Sequence, residues 1–206
     1  MKTKRKISSK NITRRIYVSL LKKLYPSCKH DSVDHSLYQN HKITYGEMEY
    51  EGIEQLYHVV KWINPKVNCF IDIGSGRGKL CMYMASQPKI KNVIGVEIVK
   101  ERHDEAQGLK SKLKNEISDK VTLFNKNILD IDFKKYTHYE SFIWFSNLCF
   151  ESNTKNEIFK KLSEEFPKGT IICCSKEPDI SLGNFIKKIE IPMSWNSTSE
   201  VNIYKL

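Results

Sequence analysis

The stretch Phe70-Ile71-Asp72-Ile73-Gly74-Ser75-Gly76-Arg77-Gly78-Lys79-Leu80 constrains the chain more than any other. An apolar, β-prone run over residues 67–73 meets three glycines at alternate positions. Leu80, Met82, Tyr83 and Met84 then begin an apolar helical pattern. Strand, glycine turn and helix in that order open a doubly wound α/β sheet. The glycines allow a sharp turn and the close approach of a ligand to the backbone. Such a turn lies at the carboxyl edge of the sheet, where folds of this kind bind ligands.

The spacing narrows the ligand. A dinucleotide site reads G-x-G-x-x-G and leaves a helix N-terminus free for pyrophosphate. Here the pattern is G-x-G-x-G, and the acid Asp72 precedes it. A carboxylate at that point disfavours a diphosphate and suits a cation. No G-x-x-x-x-G-K-[ST] loop occurs, which excludes a Walker site. S-adenosylmethionine carries an ammonium and a sulfonium, so charge favours it as cofactor. Asp72, Gly74, Ser75, Gly76 and Gly78 are the first candidates to hold it. The run Asn92-Val93-Ile94-Gly95-Val96-Glu97-Ile98 ends in an acid about two dozen residues after Gly74, placed to accept both ribose hydroxyls. The plainer reading of Asp72 and Glu97 is a pair of solvated carboxylates at strand ends.

The rest of the chain alternates. Ile53, Leu56, Val60 and Ile63 mark a helix before the first strand, stopped by Pro65. Residues 100–117 read as one helix with Ala106, Leu109, Leu113 and Ile117 on a side. Val121-Thr122-Leu123-Phe124 is a third strand; Asn127 and Ile128 follow it, a polar partner for the adenine amino group and an apolar one for its ring. Ser141-Phe142-Ile143-Trp144-Phe145 is a fourth strand, residues 154–166 a helix, and residues 170–175 a fifth strand. Runs at 185–191 and 201–206 close the sheet as a consecutive pair. The expectation is an α/β fold: a seven-stranded, mostly parallel, Rossmann-like sheet with helices on both faces.

A length of 206 residues suits one folded unit, and 40% hydrophobic residues are enough for a core. No apolar run is long enough to span a membrane, and no membrane partner is expected. The net charge of +10 suggests a polyanionic neighbour. The basic excess gathers at the start: the first thirty residues hold no acid and ten bases up to Lys29. Residues 1–42 therefore read as a basic arm and helix, and residues 43–206 as the main domain. The first ten residues are expected to be disordered. Ile12, Ile16, Leu20 and Leu24 form the apolar stripe of the helix, which Pro26 ends. Three uses compete for it: a helix packed on the domain with a solvated basic face, a contact to nucleic-acid phosphates, or a mitochondrial transit peptide. Six cysteines without a C-x-x-C pair read as reduced thiols in an intracellular protein, expected to be monomeric. Cys28, His30, His35 and His41 match no standard metal spacing, and no metal is expected.

With these residues assembled, the 72–78 stretch resembles motif I of class I S-adenosylmethionine-dependent methyltransferases, which also end on two consecutive strands. A narrower resemblance is to the DOT-one (disruptor of telomeric silencing) family of non-SET histone lysine methyltransferases. Tyr45-Gly46-Glu47 is similar to that family's Tyr-Gly-Glu loop, and Ser146-Asn147-Leu148-Cys149-Phe150 to its Asn-Asn-Phe-x-Phe segment. Ser194-Trp195 is similar to its Ser-Trp near the lysine channel. The resemblance covers about residues 43–206. It implies that the methionine end rests on the glycine turn beside Glu47, that Glu97 holds the ribose, and that a narrow channel admits a lysine. Asn147 or Ser146 would aim the amine, with Tyr45, Phe150 and Trp195 as channel wall.

The chain departs from the family at three places. Ser146 replaces the first Asn. Asn127-Ile128 replaces an acid and a Phe. Asn202, with Tyr204 two residues on, falls near the place of a channel tyrosine. The function implied is histone lysine methylation on nucleosomes, in the nucleus or on chromatin, with DNA contact through the basic arm. Alternatives are a nucleic-acid methyltransferase, a lysine methyltransferase of another protein in cytoplasm or mitochondrion, and a weakly catalytic cofactor-binding module. The amino-methylating nucleic-acid enzymes carry prolines after the fourth strand; this chain has none there.

Overall fold

The structure is a computed structural model that describes residues 9–25, 33–38 and 43–206. Helix α1 (Ser9–Leu24) is followed by a short 3-10 turn (His35–Tyr38) and by α2 (Tyr50–Ile63). Then β1 (Cys69–Ile73), α3 (Lys79–Ala85), β2 (Asn92–Glu97) and α4 (Lys100–Lys110) alternate. After α5 (Asn115–Ser118) come β3 (Val121–Asn125), β4 (Ser141–Phe145), α6 (Ser152–Glu165) and β5 (Ile171–Cys174). The chain finishes on β6 (Asn184–Met193) and β7 (Asn196–Lys205).

All seven strands form one open sheet in the order β3-β2-β1-β4-β5-β7-β6. The first five are parallel; β7 runs antiparallel to both β5 and β6. Strand β1 lies at the centre, with Cys69 opposite Asn92 on one side and Ser141 on the other. Two-residue alternation divides the core. Phe70, Val93, Phe142, Ile171 and Ile203 face α2 and α3 through Leu56, Val60, Met82 and Met84. Ile71, Ile94, Ile143, Phe145 and Ile172 face α6 through Ile158, Phe159 and Leu162. The expected mostly parallel sheet with helices on both faces is what the chain forms.

Three expectations change. The single helix over 100–117 is two, because the chain turns after Lys110 and restarts at Asn115. Gly108 and Ser111 are weak helix formers, and Lys110 and Lys114 would repel at i,i+4 in an unbroken helix. The closing pair is longer than expected, ten residues a strand, and bulged in β6. Helix α1 buries a face turned from the one its stripe suggests: Leu20 and Leu24 pack against the core only in part, and the side chain of Ile12 lies outside the described residues. Ile16 is 64% exposed, whereas Tyr17, Leu21 and Tyr25 enter the same apolar cluster as α2 and α3. The reason is polar: the Tyr17 hydroxyl donates to Glu116 at 3.2 Å and the Tyr25 hydroxyl to the Arg77 carbonyl at 2.9 Å, so both rings can be covered. The arm before Ser9, Pro26 and the Cys28, His30 and His41 group, with the side chain of His35, lie outside the described residues.

Candidate active site

The carboxyl ends of β1, β2, β3 and β4 and the turns that follow them enclose a cavity of about 360 Å³. Its floor is the glycine turn. Gly74 has φ +78°, and a Cβ there would meet nothing within 4 Å, so a side chain would project into the cavity. Gly76 has φ +52°, and a Cβ there would lie 2.6 Å from Cε2 of Tyr45. The missing side chains are what let one ring and one ligand approach the same few backbone atoms.

Asp72 faces the cavity at the end of β1 and is 3% exposed. Burial pushes its carboxyl up to about 7; the Cys81 thiol at 3.5 Å opposes this and the Glu97 charge adds to it. Glu97 braces the turn: one carboxylate oxygen accepts the Gly76 N–H at 2.7 Å, the other the Val99 N–H at 2.8 Å. Burial raises Glu97 above the ordinary carboxylate range, opposed chiefly by the Val99 amide, Arg102 and the Gly76 amide. A carboxylate has about four acceptor positions; the Ile98 amide takes part as well, which still leaves room for a hydroxyl donor.

The loop before α2 and the β6–β7 hairpin meet over this floor, although nearly 150 residues separate them. The Glu47 N–H donates to the Ser194 hydroxyl at 3.0 Å, and the Ser194 N–H to the Glu47 carbonyl at 2.8 Å. Met48 bridges to Met193, and the Trp195 ring covers Gly46, where any Cβ would collide with it. The Tyr45 hydroxyl donates to Glu47 at 2.6 Å, and the Arg102 guanidinium lies 4.7 Å from the Tyr45 ring centre. Tyr45, Glu47 and Trp195 thus arrive together at the cavity wall, Trp195 still 45% exposed at its rim.

Ser75, Asn127, Ile128, Ser146 and Phe150 also line it. Asn127 caps the turn after β3, its side-chain oxygen accepting the Leu129 N–H at 3.0 Å. That bond fixes the amide's orientation and leaves its NH₂ and the second lone pair of its oxygen for a ligand. Phe150 packs edge-on against Phe145 at 4.9 Å.

Asn147 is not brought to the cavity. It is fully buried, and its amide is spent on the backbone of one residue: the side-chain oxygen accepts the Lys176 N–H at 2.7 Å and the NH₂ donates to the Lys176 carbonyl at 2.9 Å. Residues 147–149 form a 3-10 turn, so Ser146 and Asn147 point in different directions. Nor do Asn202 and Tyr204 reach it. Asn202 donates to the Ser175 carbonyl, and Tyr204 stacks edge-on with Phe185.

Two buried cations of the cavity lining were not foreseen from the sequence. Lys79, the first residue of α3, is 5% exposed; its ammonium lies 3.2 Å from Glu47 and 4.7 Å from the centre of the Tyr50 ring. Arg102, on α4, is equally buried and donates to the Ile43 carbonyl. Both are charges within runs that read as helix surface. The one hint was the lysine set directly between Gly78 and an apolar run.

The Histone methylation protein DOT1 family model matches residues 29–190. A histone-lysine N-methyltransferase of Caenorhabditis elegans, H3 lysine-79 specific, is 29% identical over 168 residues, 77% of this chain. The chain spans 16% of that relative's length. Among solved structures, the methyltransferase domain of bacterial CtHen1 aligns over 75% of this chain and 97% of its own, with 15% identity and a TM-score of 0.57. Magnesium protoporphyrin IX methyltransferase from Synechocystis PCC 6803 aligns over 98% of both chains, with 12% identity and a TM-score of 0.54. Those two likenesses are of fold; the family match covers most of the chain and includes the glycine turn, the residue 45–47 loop and the turn after β4, and by it the chain belongs to the DOT1 histone methylation family.

Proposed function

We propose that the protein is an S-adenosylmethionine-dependent protein-lysine N-methyltransferase whose substrate is a histone in the nucleosome. The observation that carries this is the joining of Tyr45-Gly46-Glu47 to Ser194-Trp195 over a G-x-G-x-G turn. It makes one cavity with acids at its floor and aromatic rings at its mouth. The residues present fit the cofactor. Asp72 and Glu47 offer carboxylates to its ammonium, Lys79 a cation to its carboxylate, and Glu97 a carboxylate acceptor to its ribose. The open space above Gly74 leaves room for the chain between.

Bound there, the cofactor supplies a methyl group already activated by the sulfonium charge. The protein's task is to deliver a neutral amine in line. A free lysine has a pKa of about 10.4 and must lose a proton first. Phe150 and Trp195 at the mouth keep water from the amine, and desolvation next to a cation disfavours the ammonium. Ser146, half-buried on the wall, can accept a hydrogen bond from the amine and fix its direction. No strong base is needed, and positioning can supply up to about 7–11 kcal/mol.

The pH response follows from Asp72. It must be ionised to hold a cation, and burial keeps its carboxyl protonated up to about 7. Affinity for S-adenosylmethionine should be level above that point and fall roughly tenfold for each pH unit below it. Calorimetry from about pH 6 to 8 checks this; a level profile throughout removes Asp72 from the binding role.

The function is tested by transfer from radiolabelled S-adenosylmethionine to nucleosomes, free histones, RNA and DNA side by side. Label in a histone band, stronger with nucleosomes, is expected. Label in nucleic acid would replace the lysine reading with a nucleic-acid methyltransferase.

A further inference from the structure

Tyr25 follows α1 directly, is 1% exposed, and donates its hydroxyl to the Arg77 carbonyl oxygen at 2.9 Å. That carbonyl belongs to the glycine turn itself. Arg77 stands between two glycines of positive φ, Gly76 at +52° and Gly78 at +79°. The Arg77–Gly78 peptide ends on a glycine of positive φ, whose freedom leaves little of its own to stop the peptide rotating. Two bonds hold this one. The Gly78 N–H donates to the Ser75 carbonyl at 2.9 Å, and the Arg77 carbonyl on the other side of the same peptide accepts from Tyr25. One residue upstream, the Gly76 N–H sits on the carboxylate of Glu97. The hydroxyl of Tyr25 is therefore a single peptide away from the acid placed to meet the ribose. A second link runs in parallel: the Tyr50 ring lies between Lys22 of α1, 5.3 Å from its centre, and the cavity's Lys79 at 4.7 Å.

We propose that Tyr25 is a positioning residue for the glycine turn, which makes the basic helix α1 a working part of the cofactor site rather than an appended arm. The inference rests on the S-adenosylmethionine reading of the cavity. Loss of the hydroxyl leaves the Arg77–Gly78 peptide free to turn, and the Gly76 amide and Glu97 then sample orientations that do not bind. By linkage, a bound cofactor holds α1 in place as firmly as α1 holds the turn.

Tyr17 provides the internal control. It lies on α1 itself, is 5% exposed, and donates its hydroxyl through a part-buried bond to Glu116, away from the turn. The full chain is compared with Tyr25→Phe and Tyr17→Phe by calorimetric titration with S-adenosylhomocysteine and by thermal melting. Tyr25→Phe should weaken binding about fivefold, within what one neutral hydrogen bond contributes, and Tyr17→Phe by less than about twofold. Melting temperatures of the two should fall alike. Unchanged affinity in Tyr25→Phe, with the parent chain binding normally, overturns the inference and leaves the cofactor reading standing. Equal weakening in both variants also overturns it, because general destabilisation then suffices. A parent chain that does not bind contradicts the cofactor reading and this inference with it.

Discussion

Gly76→Arg removes S-adenosylmethionine binding, by more than about 100-fold or 2.7 kcal/mol, while the protein stays folded. The first carbon of the new side chain would sit 2.6 Å from the Tyr45 ring, so ring and turn cannot both stay. The residue also holds a φ of +52°, a left-handed conformation that costs a side-chain-bearing residue about 1–2 kcal/mol. Displacing Tyr45 disturbs its bond to Glu47 and, through Glu47, the contacts to Lys79 and Ser194. A guanidinium beside the site of a sulfonium adds repulsion. The apolar clusters on either face of the sheet do not include the turn, so circular dichroism should change little and the strain should lower the melting temperature by about 3–6 °C, short of unfolding. Gly76→Ala separates the effects: it keeps the strain and the clash but not the charge, and should weaken binding by about tenfold. Calorimetry checks both, and binding by Gly76→Arg at the parent affinity would dissociate the glycine turn from the cofactor.

Asn147→Ala should act on stability before catalysis. The sequence places Asn147 beside Ser146 in a segment expected to aim the amine, which would make turnover its main casualty. The structure gives its fully buried amide to both backbone polar groups of Lys176, so that it ties the turn after β4 to the end of β5. Alanine deletes two part-buried hydrogen bonds to Lys176 and leaves a small cavity where the Asn147 amide was fully buried, together costing about 2–4 kcal/mol. For a chain of this size that is roughly a 6–12 °C fall in melting temperature. Turnover of the folded variant should stay within about threefold of the parent, a barrier change under 1 kcal/mol. An unchanged melting temperature with turnover lost would return Asn147 to the catalytic set and imply that the Lys176 clasp opens. Ser146→Ala is the matched comparison: half-buried on the cavity wall, it should keep stability and lower turnover.

These two residues show what could be read from the chain and what could not. The strand, turn and helix around Gly74, Gly76 and Gly78 are local, and their meaning lies in backbone geometry that few residues other than glycine adopt. The order of strands followed from alternation of period two and 3.6. Side-chain direction inside a short 3-10 turn follows neither period, which is why adjacent Ser146 and Asn147 part company. The face of α1 is turned from its aliphatic stripe for a related reason, with Leu20 and Leu24 left partly buried. Hydropathy favoured Ile16 over Tyr17, but a tyrosine whose hydroxyl finds a partner is the better residue to bury. Lys79 and Arg102 escaped notice because a buried cation looks like a surface one until its partners, Glu47 and the Ile43 carbonyl, are placed beside it. The meeting of Glu47 with Ser194 was legible only as two separate motifs; the fold supplied the hydrogen bonds between them.

The most direct measurement is mass spectrometric mapping of nucleosomal histones after incubation with S-adenosylmethionine and the full chain, with Gly76→Arg as control. Methyl groups on a histone lysine, absent with the control, are the predicted result. Methylation confined to nucleic acid, or no methylation of any histone lysine by a chain that binds the cofactor, would contradict it.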